Sequence, residues 1–60
     1  MRTTTETEKR AQMIRLAQQE RLCRREAEAF ALVGAERAAR HWAGRAARLQ
    51  ARLERLEERS

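Results

Sequence analysis

Along this chain the apolar side chains return in alternating steps of three and four, interrupted once. Before the interruption the inward positions read Met13, Leu16, Glu20, Cys23, Ala27 and Phe30; after it they read Ala39, Trp42, Ala46, Leu49, Leu53 and Leu56. Such steps keep side chains on one face of an α-helix, and their alternation is the heptad pattern of coiled-coil packing. Carried through Gly34 unbroken, the first phase would put His41 and Arg48 into the seam. The stripe changes phase at that glycine, as a reversal of the chain requires.

Local signals agree with the stripes. Thr5 and Glu8 have the T-x-x-E spacing of a capping box, as do Thr3 and Glu6, so either threonine suits the start of a helix. From there to Val33 no Pro, Gly, Asn or Asp interrupts, and the Ala, Leu, Arg, Gln and Glu content favours helix. Glu36 falls in the first turn of the second stretch, where a carboxylate complements the helix dipole. The expected organisation is a flexible polar tail over 1–4, a helix over 5–33, a tight turn at 34–35 and a second helix over 36–59.

Folding back at Gly34 pairs Phe30 with Ala39, Ala27 with Trp42, Cys23 with Ala46, Glu20 with Leu49, Leu16 with Leu53 and Met13 with Leu56. The only Phe and the only Trp then each face an alanine, the alternation of large and small that lets layers interlock. The fold class read from this is all-α: an antiparallel two-helix hairpin, coiled-coil-like, with those twelve positions, Glu20 excepted, as its intrachain core. A continuous helix in a longer coiled coil, kinked at Gly34, is the alternative. Glu20, the one charge at an inward position, is expected to pair with Arg24 one turn on; a register-setting or ligand-contacting role is the other reading.

Size then enters. A chain of 60 residues is one small domain, and a core of this size rarely offsets the entropy of ordering the chain without disulfides, a metal or oligomerisation. The single cysteine, Cys23, rules out an intrachain disulfide, and one histidine, His41, cannot complete a metal site with it. Self-association remains, and a homodimer forming a four-helix bundle is its simplest form. A second apolar row on the first helix, Leu22, Ala29 and Val33 with Leu32 nearby, is the expected self-association surface. On the second helix Ala39, Ala43, Ala46 and Ala47, with Gly44 beside them, form a small-residue flank that permits close helix approach.

Chemistry is sparse. The chain has no Asp, Asn or Tyr, and its only Ser is Ser60, while nucleophilic catalysis needs a nucleophile, a base and a group to orient that base. Cys23 points into the seam and His41 lies on a flank, so they do not meet. Cys23 reads as a small buried hydrophobe and His41 as a solvated helix residue. Glu57 and Glu58 sit in a C-terminal turn with no cavity around them. No catalytic, cofactor-binding or metal-binding residue is assigned; an enzyme, a cofactor and a small-molecule substrate are not expected.

The net charge is +5, and thirteen of the fourteen basic residues are arginine. Arginine and alanine enrichment also follows from GC-rich coding, so the position of the arginines matters more than their number. His41, Arg45, Arg48, Arg52, Arg55 and Arg59 recur at steps of four and three, each just before an inward residue, with no acidic residue between Arg37 and Leu53. This rail is the expected contact for a partner. A heptad advances roughly 10 Å, within reach of successive phosphates, so two rails on a dimer suit an RNA or DNA backbone. The bland reading is a solvated flank whose arginine stems cover the seam.

Two functions follow: a non-catalytic regulator or adaptor that self-associates and binds an acidic surface of a partner protein, or a basic dimeric RNA- or DNA-binding regulator. A bare oligomerisation segment is the third possibility. No run of 18 apolar residues or export signal occurs, and a single free thiol fits a reducing compartment, so no membrane partner and a cytoplasmic site are expected. In length, paired heptads and minimal turn, residues 5–59 resemble the plasmid-encoded repressor-of-primer hairpins. That resemblance is architectural, rests on no shared motif and transfers no functional residue. It implies an antiparallel four-helix dimer that binds paired RNA loops.

Overall fold

The computed structural model describes residues 5–58, so the expected 1–4 tail, the alternative cap Thr3 and the end of the rail at Arg59 lie outside the described residues. Two helices account for nearly all of it: α1, Glu6–Leu32, and α2, Glu36–Glu58. They pack on one another as a helical hairpin in a rod of 51 × 15 × 15 Å.

The start of α1 is a complete capping box. The Thr5 hydroxyl accepts from the Glu8 amide and the Glu8 carboxylate accepts from the Thr5 amide, both at 3.0 Å. Two donors that would otherwise face water are satisfied reciprocally. Thr5 is thus the cap and Glu6 the first helical residue, one position later than the sequence boundary.

The end of α1 explains the reversal. Val33 caps the helix and Gly34 follows at φ +81°, in the left-handed region. There the Gly34 amide donates to the Ala31 carbonyl at 3.1 Å and the Ala35 amide donates to the Phe30 carbonyl at 2.9 Å. These are the 5→2 and 6→1 bonds of a Schellman motif, which a residue without Cβ adopts at no steric cost. The turn is therefore Val33–Ala35, and α2 opens at once, with the Ala39 amide donating to the Ala35 carbonyl at 2.9 Å. Gly34 is a turn residue and the continuous kinked rod does not form.

The two helices distribute their apolar residues differently. In α2 they keep to one stripe, whereas in α1 they are spread around several faces. As a result the seam is thin. Leu16, Cys23 and Ala46 are buried, while Met13, Ala27, Phe30, Ala39, Trp42, Leu49, Leu53 and Leu56 are half-buried. A two-helix seam is open along both long sides, so most of its residues keep one face in water.

A polar chain crosses from helix to helix. Arg24 pairs with Glu20 at 2.6 Å and donates to the Gln50 side-chain carbonyl at 3.1 Å; the Gln50 amide donates to Glu54 at 3.4 Å. Glu20 therefore meets Arg24 as its i,i+4 spacing implies, and the pair is continued onto α2.

Candidate protein-binding surface

The hairpin has two long sides, defined by which residues precede and which follow the seam positions. Along the first side lie Arg15 of α1 and His41, Arg45, Arg48, Arg52 and Arg55 of α2, with Glu8 and Glu26 as its carboxylates. Five arginines stand against two glutamates there, so this is the basic side. Along the second, Arg10, Arg21, Arg24 and Arg40 stand against Glu28, Glu36, Glu54 and Glu57. Four face four, and this side is neutral.

On the basic side lies an open groove of about 520 Å³, floored by Cys23, Trp42 and Leu49, walled by Leu22 and rimmed by Gln19, Glu26 and Arg45. Trp42 keeps its seam position with one side open to this groove. It is half-buried, the Arg45 guanidinium lies over its ring at 5.2 Å from the centroid, and His41 meets its edge at 5.6 Å and 83°. An arginine over an indole face is a favourable cation–π pair. Towards the open end of the hairpin, Arg52 and Arg55 line a second, polar groove with Gln12 and Leu56. Arg45, Arg48, Arg52 and Arg55 are exposed and have no carboxylate partner among the described residues.

The neutral side has a different lining. Near the turn Ala27, Ala43, Ala46 and Ala47 form a shallow groove with Arg24, Glu28 and Gln50 at its edges. Near the open end Met13, Ile14, Ala17 and Leu53 line an apolar groove of about 490 Å³ between Lys9, Arg10, Glu6 and Glu57. Gly44 is not part of the helix contact: a Cβ built there meets only the Arg48 side chain, at 3.8 Å.

Of the four residues assigned to self-association, Leu22, Ala29 and Val33 keep one row along α1, on the basic side, and Leu32 lies beside its end. Leu22, 58% exposed, faces the basic-side groove beside Trp42 and Arg45. Leu32 and Val33, 88% and 77% exposed, stand at the turn with Ala29, exposed, one turn before Val33. Ile14 was missed by the sequence reading although it is 52% exposed and lines the neutral-side groove. Its signal was present: it directly follows the seam residue Met13 and lies three before Ala17, on the same flank as the alanines. Cys23 is a free, buried thiol, and no group of three or more metal-ligating side chains occurs among the described residues. No described helix is long and apolar enough to cross a membrane.

What these observations define is a class, an all-helical hairpin with two chemically distinct long sides. No family model matches the chain, and neither a curated protein nor a solved structure shows significant similarity to it.

Proposed function

We propose that this chain is a non-catalytic regulatory or adaptor protein that self-associates and binds an acidic surface of another protein. The observation that carries the reading is the thin seam. Among the described residues three side chains are buried while Ile14, Leu22, Leu32 and Val33 stay exposed, and a fold this small needs more apolar burial than that. Large exposed apolar surface on a small helical protein marks association sites.

The two sides suggest a division of labour. Applying the basic side to itself would bring ten arginines against four glutamates in a pair, twice the count on one copy, and like charges in contact oppose association. The neutral side is self-complementary in charge, its alanines allow close approach, and Ile14 supplies the buried anchor. We therefore assign self-association to the neutral side, as a four-helix dimer, and leave the basic side for the acidic partner. Sedimentation equilibrium tests the first half: the expected mass is twice the 7.0 kDa of one chain. A folded monomer at high protein concentration would sink it.

The second reading is an RNA- or DNA-binding regulator. The unpartnered run Arg48, Arg52 and Arg55 favours it, since phosphates bind such runs without base readout. A base stacking on the Trp42 face under Arg45 would have to displace that guanidinium. A salt series separates the two, because phosphate contacts lose about one unit of logarithmic slope for each charge neutralised. Affinity purification with and without nuclease gives the same decision in the native setting.

A further inference from the structure

We infer that the basic side is a receptor groove for one acidic amphipathic helix, which would convert the hairpin into a three-helix bundle. This rests on reading that side as protein-binding, and it names the chemistry of the partner. Three features lead there. The groove has an apolar floor, Trp42 and Leu49, and an apolar wall, Leu22, which a phosphate backbone would not use. Arg45 rims it, and Arg48, Arg52 and Arg55 continue from there along the same side of α2 in steps of three, four and three, the last two lining the polar groove beyond, the spacing at which a facing helix presents its own carboxylates. Finally, the four arginines extend about 15 Å along α2 at the rise of an α-helix, a length that two to three turns of partner helix match.

The geometry gives the partner a definite pattern. Apolar residues at heptad spacing seat between Leu22 and Leu49, and glutamates on the flank nearest α2 reach the guanidinium groups. Arg45 is already held over Trp42, so part of its side-chain entropy is lost before binding. Helix-in-groove recognition of this kind places affinity in the apolar anchors and selectivity in the charges.

Trp42, the only tryptophan, lies in the groove and reports on it. The probe is a synthetic peptide of about three heptads, with leucine at the two core positions, glutamate on both flanks and alanine elsewhere. Titrated into the full chain, it is expected to bind saturably, shift Trp42 emission to the blue, and bind about tenfold more weakly to Arg48→Glu. Leu22→Glu is expected to abolish the emission shift while sedimentation shows the same assembly as the parent chain. The same peptide with lysine for every glutamate should not bind. Equal binding of poly-glutamate without a Trp42 shift would overturn the helix receptor yet keep an acidic protein partner. Binding of a mixed-sequence single-stranded RNA in preference to the peptide would overturn both. If the peptide fails on a chain that still sediments as a dimer, the receptor inference falls and self-association stands.

Discussion

One long side of the hairpin carries five arginines, two glutamates and a groove floored by tryptophan; on the other, four arginines and four glutamates border alanines and an exposed isoleucine. Both sides are edges of the same seam. Their difference lies entirely in the residues immediately before and immediately after each heptad position. A hairpin of this kind has a shared centre that determines whether it folds and two margins free to specialise. Net charge alone, +5 for the chain, hides the asymmetry, because the excess is concentrated on one margin.

The largest expected effect is at the shared centre. Leu16 is one of three buried side chains, so Leu16→Ala removes buried methylenes and leaves a cavity, a change worth roughly 2–5 kcal/mol. In so small a fold that is comparable with the whole stability. Circular dichroism should show a chain largely unfolded at room temperature, and both margins should lose their binding together. A well-folded Leu16→Ala variant would mean the seam is not what holds the hairpin, and the comparison of its edges would lose its basis.

The next prediction separates the margins. Placing a charge at the centre of a buried interface costs several kcal/mol, so Ile14→Glu should convert the proposed dimer to a less stable monomer, while Leu22→Glu should leave that dimer intact. Sedimentation at matched concentration reads both. If Leu22→Glu dissociates the dimer and Ile14→Glu does not, the assignments are reversed and the second copy covers the basic side.

Gly34 comes third and is neutral between the margins. At φ +81° an alanine is strained by about 1–2 kcal/mol, although a Cβ there meets nothing within 4 Å. Gly34→Ala should lower the thermal midpoint without changing the seam. An unchanged midpoint would show that the Schellman bonds are not needed to turn the chain.

Much of the hairpin was legible in the sequence because its signals are local. The Thr5–Glu8 spacing, the run without breakers up to Val33 and the phase change at Gly34 each act within a turn or two of helix. The grouping of surface residues was less legible. Leu22, Ala29 and Val33 keep their row on α1, and α2 adds Trp42 and Arg45 beside Leu22 in a groove built from both helices. The heptad spacing places Trp42 in the seam; with two helices a seam position has one open side, and there Arg45 lies over the ring. Gly44 was read with the alanines as a close-approach site, yet it points away from α1. The groove at Leu22 and the place of Gly44 depend on how α2 packs on α1, which spacing within one helix does not encode, whereas the Arg45–Trp42 pair is an i,i+3 contact inside α2.

Glu20 offers the smallest and most discriminating test. Its side chain is 13% exposed at a seam position, and its partner Arg24 is 60% exposed. Because Arg24 is well solvated, the ion pair contributes only about 0–1 kcal/mol, and without it Arg24 can still donate to Gln50. A leucine at position 20 would instead put apolar surface against Leu49, a gain of about 1.5–3 kcal/mol for complete burial and less at this partly open site. Glu20→Leu is therefore expected to raise stability by about 1 kcal/mol, a shift of roughly 4–8 °C for a domain of this size. The Glu20–Arg24–Gln50–Glu54 chain reaches the neutral margin, so the variant also probes that side. A raised midpoint with the dimer retained means the chain merely shields a seam position. A fall in midpoint together with loss of the dimer would instead make Glu20 a register-setting residue at the interface between copies, and the neutral side a polar rather than an alanine-packed contact.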